Sequence, residues 1–289
     1  MKTALIVHGG CGTPPPGEEG PRQAACERAA EAAWTLLLGG KSALDAVEAA
    51  VRALEDEPLL NAGTGSYLQA DGVARLDASI MACDGRAGAV AQVPLLPHPV
   101  SLARYLLEQD AHVMLAGPEA TALAARLGHP VGVVATPPKI AYWQEHLDEA
   151  CQRLDYAAMA AAWKSGNPRL GTVGCVALDA QGRLAAATST GGTGQCYPGR
   201  VGDTPVIGAG TYCTEQVGVS MTGVGERILV KLAAKRLADL RADGVPLEAA
   251  ARRVLEEVGP GAGLIALDAS GTVVEERNTR FMAAARRSS

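Results

Sequence analysis

Apolar residues in the first part of the chain follow both strand-like and helix-like spacings. The apolar run from Lys2 to His8 predicts a short strand that leads into a glycine turn, GGCG. Helical periodicity follows over Arg22 to Leu38 and over Ser42 to Leu54, where Ser42 and Asp45 have the spacing of a capping box. The next segments predict two strands, a helix and a further short strand: GVARLDASIMAC, AGAVAQV, Leu102 to Gln109 and HVMLAG.

The later part of the chain begins with two apolar runs around Ala180-Gln181-Gly182, which predict a β-hairpin. Both faces of this hairpin are apolar, so both must be covered. A strand, two helices and a closing hairpin are predicted next: VGVSMTG, ERILVKLAAKRLADL, Leu247 to Val258 and GLIALDASGTVVEERN. Because helices stand before and after the strands, the pattern predicts an α+β fold, with two sheets packed between helices as a four-layer αββα sandwich.

The region from about residue 130 to 171 has a different character. It contains Pro137-Pro138, Trp143, Trp163 and the alanine-rich stretch YAAMAAAWKSGNPRLG. These features predict a partly helical connector between two parts of one domain, residues 1–171 and 172–289.

Composition and charge exclude several classes of function. The net charge is −5 and the basic residues are scattered, which argues against nucleic-acid binding. No apolar run is long enough to span a membrane. The seven cysteines form no CxxC pair and cannot all pair within one chain, which favours a reducing, cytoplasmic location.

The junction Gly171-Thr172 joins the connector to a buried strand and offers a specific chemistry. A threonine attacks a carbonyl only if a base takes its proton, and an N-terminal threonine can use its own α-amine. The pKa of an α-amine is about 7.7–8.0, which suits a general base at neutral pH. Without its context, Thr172 would be an ordinary residue at the start of a strand.

Several sequence blocks resemble the plant-type L-asparaginases, also called isoaspartyl peptidases. These blocks are IVHGGCG, LEDEPLLNAGTG, GTVGCVALDAQGRLAAATSTGG, PGRVGDTPVIGAGTY and SMTGVGE, in the same order as in that family. The resemblance covers most of the chain except the connector and the last few residues. It implies an N-terminal-nucleophile hydrolase fold, self-cleavage between Gly171 and Thr172, and hydrolysis of L-asparagine or β-aspartyl dipeptides.

The resemblance also implies roles for individual residues. Thr172 is the expected nucleophile, Thr190 orients it, and Thr222 with the Gly223 N–H forms the oxyanion hole. The residues expected to hold the substrate or support its pocket are Arg200, Asp203, Gly225 and Asn61. No cofactor is expected for catalysis. A structural sodium ion is expected on the backbone carbonyls of Leu54, Glu55, Glu57, Leu60, Ala62 and Thr64. The family further implies a homodimer of αβ units.

The chain departs from the family pattern in three places. Cys11 stands where the first glycine turn usually has a small residue, so its thiol bears on the fit of the nucleophile's pocket. Val224 stands at a variable position that is often polar, which bears on fine specificity. The connector matches no family block.

Other functions fit the sequence less well. A glycosylasparaginase tends to carry TSTNG where this chain has TSTGG, and a threonine aspartase usually lacks the equivalent of Asp203. A non-catalytic amino-acid-binding relative would keep Arg200 and Asp203 but lose a threonine. Cys175 as a nucleophile has no histidine within reach in the sequence. In isolation, Arg200 and Asp203 would be a surface ion pair and His8 a core histidine.

Overall fold

The computed structural model of the chain describes residues 2–165 and 171–289. The first of these ranges combines four strands with seven helices. In chain order they are β1 (Ala4–Gly12), α1 (Glu19–Leu38), α2 (Ala43–Glu55), β2 (Arg75–Ala82), β3 (Ala87–Pro94), α3 (Pro99–Gln109), β4 (Met114–Ala116), α4 (Gly117–Arg126), α5 (Pro137–Glu145), α6 (Glu149–Arg153) and α7 (Tyr156–Ser165).

The second range, which starts at Gly171, contains seven strands and three helices. They are β5 (Val173–Leu178), β6 (Leu184–Thr190), β7 (Thr211–Cys213), β8 (Val217–Gly223), α8 (Gly225–Lys231), α9 (Ala233–Ala242), α10 (Leu247–Val258), β9 (Ala262–Asp268), β10 (Val273–Arg277) and β11 (Phe281–Ser288). No helix in the described part of the chain is long and apolar enough to cross a membrane.

The strands form two sheets. The larger has the order β11-β1-β5-β6-β2-β3-β4, and the smaller has the order β10-β9-β8-β7. In the larger sheet, β5 and β6 form the predicted hairpin at the centre, and β1 and β2 flank them in antiparallel register. Strands on both sides of residues 166–170 therefore belong to one sheet.

Three apolar clusters lie on successive faces of these sheets. One joins helices α1 to α4 to the larger sheet, with Leu5, Val47 and Leu102 fully buried. The second lies between the sheets and includes Ile6, Val176 and Ile265. The third joins the smaller sheet to helices α8 to α10. Helices and sheets are thus both present as separate layers, which is an α+β architecture.

The apolar faces of β5 explain why this strand is buried on both sides. Val173, Cys175 and Ala177 face the first cluster, whereas Val176 and Leu178 face the second. The predicted capping box is also present, since Ser42 and Asp45 exchange hydrogen bonds at the N-terminus of α2. The sequence pattern therefore predicted β5 and the start of α2 correctly.

Five local predictions were wrong or incomplete. The glycine turn after His8 is part of β1, where it forms an irregularity in the pairing with β11. The predicted single helix ERILVKLAAKRLADL is broken at Leu232, whose φ of 47° ends α8 and begins α9. Helix α4 and strands β7 and β11 were not predicted.

The connector is partly helical, as predicted. Helices α5, α6 and α7 lie in it, while residues 166–170 fall outside the described residues. Cys151 of α6 and Met159 of α7 are buried together with Ala70. This small apolar cluster attaches the connector to the body of the domain.

Candidate active site

Thr172 lies immediately before β5 and is buried. Its hydroxyl donates a hydrogen bond to the Thr190 hydroxyl at the end of β6, over 3.3 Å. The Thr190 oxygen also accepts a hydrogen bond from the Gly192 N–H at 3.1 Å. Because β5 and β6 are paired along their length, the sheet itself brings the two threonines together.

The peptide bond before Thr172 is enclosed by residues from two other segments. Gly10 has a φ of 91°, and a Cβ there would lie 2.7 Å from Gly171 Cα and 2.9 Å from the Gly171 carbonyl carbon. On the other side, a Cβ at Gly171 would lie 3.1 Å from the Asn61 Cβ. Only glycine fits at position 10, and its absence of a side chain lets β1 cover the Gly171–Thr172 bond.

Asn61 is fully buried and ties its loop to the end of β6. Its amide nitrogen donates to the Gly192 carbonyl at 2.7 Å, and its amide oxygen accepts from the Tyr67 N–H at 2.9 Å. The Gly191 N–H donates to the Asn61 carbonyl. These bonds fix the turn that follows Thr190, so Asn61 supports the position of the Thr190 hydroxyl.

Arg200, Asp203 and Gly225 meet at the N-terminal end of α8. A Cβ at Gly225 would lie 2.7 Å from Arg200 Nη2 and 2.9 Å from Asp203 Oδ1. Arg200 and Asp203 therefore face the same small space, and the glycine leaves that space open. Asp203 is buried and not on the surface, so the interpretation of these residues as a surface ion pair is wrong.

Arg200 has its ion pair with Glu226, and the described residues show none between Arg200 and Asp203. Arg200 Nε donates to Glu226 Oε1 at 2.8 Å. Asp203 Oδ2 is buried and has no hydrogen-bond partner among the described residues. A buried carboxylate oxygen without a partner is costly, and a bound cationic group would satisfy it.

Burial raises the pKa of Asp203 to about 7, while the positive charge of Arg200 opposes that shift. Burial also raises the pKa of Asp77, on β2, to about 6, against the effects of the Gln92 N–H and Arg200. Two carboxyl groups with raised pKa values thus lie near one arginine. A cluster of this kind is typical of functional sites.

A polar network behind Arg200 was not predicted from the sequence. The Gln92 side chain donates to the Arg200 carbonyl at 2.7 Å, and the Gln92 N–H donates to Asp77 Oδ1 at 2.7 Å. Gln92 also accepts a hydrogen bond from Gln69. Gln92 has a φ of 54°, so a residue in an uncommon backbone conformation links β2 and β3 to the turn that carries Arg200.

Thr222, at the end of β8, is connected to the glycine turn of β1 through Cys11. The Cys11 N–H donates to the Thr222 hydroxyl oxygen at 3.3 Å. The hydroxyl hydrogen of Thr222 is therefore not used in that bond and is available to a third group. The Cys11 thiol itself is buried, and burial raises its pKa to about 11, which leaves it neutral at physiological pH.

Gly223 and Val224 form the passage from β8 to α8. Gly223 has a φ of 144°, and a Cβ there would lie 2.5 Å from the Gly261 carbonyl oxygen. The Val224 N–H donates to the same carbonyl at 3.2 Å. The Val224 side chain points toward Gly261, since a Cβ at Gly261 would lie 3.3 Å from Val224 Cγ2.

Backbone carbonyl oxygens lie close to two glycines in the loop after α2. Gly63 and Gly65 have positive φ, and carbonyl oxygens crowd them closely: a Cβ at Gly63 would lie 2.5 Å from the Pro97 oxygen, and one at Gly65 would lie 2.9 Å from the Leu60 oxygen. The carbonyls of Leu54, Glu55 and Glu57 each accept one backbone N–H and keep a second lone pair. Neutral oxygen ligands suit a hard cation.

The side chain of Glu55 does not take part in such a site. It is fully buried, and its Oε1 accepts from the Val100 N–H at 3.2 Å, at the start of α3. Burial raises its pKa well above the usual value. No group of three or more histidine, cysteine or acidic side chains that could hold a metal is found among the described residues.

A cavity of about 600 Å³ opens next to the Gly171–Thr172 bond. Its walls come from the glycine turn of β1, from α5 and from the turn between β10 and β11, and Gly10, Cys11 and Gly171 line its inner end. A smaller cavity of about 270 Å³ with a different lining lies where Arg200 and Glu226 meet Trp163 of the connector. The Trp163 ring is 5.8 Å from the Arg200 guanidinium.

His8 is a core histidine. Burial lowers its pKa to about 3, so the ring is neutral. The Gly10 N–H donates to its Nδ1 at 3.3 Å, and its Nε2 lies 2.9 Å from the Ser220 hydroxyl of the facing sheet. All seven cysteines are unpaired. Cys175 is fully buried, and burial raises its pKa strongly, which does not favour it as a nucleophile.

Comparison with known proteins agrees with this geometry. The family model described as asparaginase matches residues 1–289. A plant-type L-asparaginase of Thermococcus kodakarensis is 40% identical over 297 residues, covering 96% of this chain and 94% of the relative. An isoaspartyl peptidase of Escherichia coli is 40% identical over 309 residues, covering 97% and 91%.

A more distant relative gives the same result. A probable isoaspartyl peptidase/L-asparaginase of Drosophila melanogaster is 36% identical over 303 residues, covering 98% of this chain and 91% of the relative. Matches of this extent, from archaea, bacteria and an insect, include the connector as well as both sheets. The chain belongs to the asparaginase family.

Proposed function

We propose that this protein is an asparaginase and β-aspartyl (isoaspartyl) peptidase that activates itself by cleavage before Thr172. The observation that carries the proposal is the position of Thr172: it follows the enclosed Gly171 peptide bond, and its hydroxyl lies 3.3 Å from that of Thr190. The names of the relatives support the same activity.

Cleavage between Gly171 and Thr172 would give two subunits, residues 1–171 and 172–289, that remain one domain. Strands from both parts pair with each other in the larger sheet, since β1 pairs with β5 and β2 with β6. The order of the three apolar clusters supports the four-layer αββα sandwich of N-terminal-nucleophile hydrolases. Cleavage would therefore free the α-amine of Thr172 without separating the subunits.

The reaction would proceed through a covalent acyl-enzyme. The Thr172 oxygen attacks the carbonyl carbon of the side-chain amide, and its proton passes to the α-amine of the same residue. The negative oxygen of the tetrahedral intermediate accepts hydrogen bonds from the Thr222 hydroxyl and the Gly223 N–H. The leaving amine takes the proton back and departs, and water then releases aspartate from the ester.

The amino-acid part of the substrate would bind at Arg200, Asp203 and Gly225. The guanidinium of Arg200 suits an α-carboxylate, and the unpartnered Asp203 Oδ2 suits an α-ammonium. The Gly225 carbonyl would accept a further hydrogen bond from the ammonium. Asn61 would keep the wall beside Thr190 in place.

Three further features belong to the proposal. The carbonyls of Leu54, Glu55, Glu57, Leu60, Ala62 and Thr64 would hold a structural sodium ion, which would stiffen the loop that carries Asn61. The enzyme would be a homodimer of αβ units. Its seven unpaired cysteines are consistent with a reducing, cytoplasmic location.

The direct test is the release of aspartate from L-asparagine and from β-aspartyl-leucine by the purified protein and by Thr172→Ala. We expect the unmodified protein to act on at least one of these substrates and the Thr172→Ala variant to act on neither. N-acetyl-asparagine is the matched control substrate, because it lacks the α-ammonium that Asp203 would bind. Equal rates on asparagine and N-acetyl-asparagine would contradict the proposed binding mode.

A further inference from the structure

The aspartyl half of a substrate and its leaving group must lie on opposite sides of the carbonyl that Thr172 attacks. Arg200, Asp203 and Gly225 occupy one side, next to the smaller cavity. The cavity of about 600 Å³ reaches Gly171, and Arg200, Asp203 and Gly225 are not among its described lining residues. Because Gly171 lines that cavity, its separation from Thr172 would extend the cavity to the nucleophile.

This cavity is much larger than ammonia requires. Its volume falls within the range of small-molecule binding sites, about 300–1,000 Å³. The residues of α5 give it an aromatic wall, since Tyr142 stacks on His146 at 4.1 Å and meets Tyr67 edge-to-face at 5.2 Å. A side chain larger than that of glycine can therefore be accommodated next to the scissile bond.

The charge of the cavity wall is of one sign. Arg22 and Arg280 line it, and none of its lining residues in the described chain is aspartate or glutamate. A second cavity of similar size, about 570 Å³, is lined by acidic and basic residues together, including Glu27, Glu275 and Arg252. The cavity beside Thr172 is therefore suited to an anionic group.

Of the two arginines, Arg280 is the one that a ligand can reach. Arg22 is largely covered, and both its Nε and its Nη2 donate to Glu18. Arg280 keeps 74% of its side chain exposed, and its contact with Glu19 is long, at 3.7 Å. An exposed ion pair of this kind is weak, so a substrate carboxylate can compete with Glu19 for Arg280.

We infer that this cavity is the leaving-group subsite for β-aspartyl dipeptides and that Arg280 binds the C-terminal carboxylate of the departing amino acid. The inference rests on the proposed function and adds to it a specificity-determining residue: Arg280 would favour β-aspartyl peptides whose C-terminal carboxylate is free. L-Asparagine makes no use of this subsite, because its leaving group is ammonia.

The test compares kcat/KM for three substrates in the self-cleaved protein: β-aspartyl-leucine, its C-terminal amide, and L-asparagine. The unmodified protein should prefer the free acid to the amide. In Arg280→Gln, the ratio of kcat/KM for β-aspartyl-leucine to that for L-asparagine should fall about twofold to fivefold, as for the loss of an exposed ion pair. The same ratio for the amide should not change.

The matched control is Arg277→Gln. Arg277 lies on the adjacent strand β10, is partly exposed and pairs with Glu275, but it does not line the cavity. The values of kcat/KM for all three substrates should be unchanged in Arg277→Gln. An equal loss on the free acid and the amide in Arg280→Gln, or no loss on either, would overturn the inference.

The outcome with the unmodified protein separates the inference from the proposed function. Hydrolysis of L-asparagine without any hydrolysis of β-aspartyl-leucine would overturn the leaving-group subsite and leave the asparaginase function standing. Failure to hydrolyse any of the three substrates would overturn both.

Discussion

The two sides of Thr172 differ in how closely they are packed. On the side of Arg200, glycine at position 225 leaves only the space between Arg200 Nη2 and Asp203 Oδ1, and Asp203 is buried. On the side of Gly171, a cavity of about 600 Å³ leads outward to an exposed arginine. The first side can select one head group by charge and shape, whereas the second admits leaving groups of different size.

The strongest test of the side of Arg200, called the closed side below, is Gly225→Ala. The added Cβ would lie 2.7 Å from Arg200 Nη2 and 2.9 Å from Asp203 Oδ1, so both groups would have to move. Overpacking and the loss of a charged contact together should cost about 3–5 kcal/mol, or roughly two hundredfold to several thousandfold in kcat/KM for every substrate. Steady-state kinetics on the cleaved variant measures this.

Gly20→Ala is the matched control, because Gly20 also lies in the first turn of a helix and a Cβ there would meet nothing within 4 Å. It should leave kcat/KM unchanged. Retention of activity in Gly225→Ala would show that the head group of the substrate does not occupy this space.

The next effect concerns Thr222, which lies between the two sides. Thr222→Val keeps the branched shape but removes the hydroxyl that accepts from the Cys11 N–H. Loss of one oxyanion donor costs about 2.7–4 kcal/mol, so kcat should fall roughly a hundredfold to a thousandfold with little change in KM. The kinetics must be measured on protein already shown to be cleaved.

Thr211→Val serves as the control for Thr222→Val. Thr211 is a buried threonine of the same small sheet, and its hydroxyl donates to Thr188 in the contact between the sheets. This variant should lower the melting temperature and leave kcat nearly intact. If Thr222→Val behaves in the same way, Thr222 has a packing role and the oxyanion hole lies elsewhere.

Asp203 on the closed side should also make kcat/KM depend on pH. The pKa of Asp203 is raised to about 7 by burial, and a protonated Asp203 cannot pair with a substrate ammonium. Below pH 7, kcat/KM should therefore fall by up to about tenfold per pH unit on all substrates, beyond the fall that protonation of the Thr172 α-amine already causes below pH 8. A kcat/KM profile that is flat between pH 5 and 7 would contradict the role of Asp203.

The smallest expected effect is on the free energy of unfolding. Removing the Asp203 carboxylate should raise it, whereas removing a carboxylate from a salt bridge would lower it. The pKa of Asp203 in the folded state lies above its value of about 3.8 in the unfolded state. Asp203 therefore favours folding when the pH is below about 3.8, and this contribution to stability is lost as the pH rises to 7. Asp203→Asn should raise the free energy of unfolding at pH 8 by about 1–4 kcal/mol while abolishing activity.

Chemical denaturation at pH 8 and at pH 4 measures the stability effect of Asp203→Asn. The gain should be present at pH 8 and disappear at pH 4, where Asp203 is protonated in the folded protein. A loss of stability at pH 8 would mean that the Asp203 carboxylate is satisfied within the fold.

Local sequence pattern was sufficient for part of this fold. The hairpin of β5 and β6 has apolar residues on both faces, and Leu247 to Val258 has a regular helical period, so short-range pattern determined both. Leu232 shows the limit. Its left-handed conformation breaks a continuous helical pattern, and nothing in the neighbouring residues requires it. Strand β11 consists largely of alanine and arginine and is a strand because β1 pairs with it.

The candidate site was likewise predictable from the sequence only in part. The resemblance named Thr172, Thr190 and Arg200, and the structure places the first two in hydrogen-bond contact. The roles of these residues stay predictions. The support behind Arg200 depends on Gln92 and Asp77, which lie far from it in the sequence and meet it only through the sheet. Arg280 likewise follows no motif, and only the cavity indicates a function for it.

In the proposed function, self-cleavage creates the nucleophile at Thr172. The most direct measurement follows one purified sample over time by intact mass, N-terminal sequencing of the smaller fragment and aspartate release from L-asparagine. We predict a fragment that begins Thr-Val-Gly-Cys-Val, activity that rises in proportion to it, and a Thr172→Ala protein that stays whole and inactive. A chain that remains uncut and still hydrolyses L-asparagine would contradict the account.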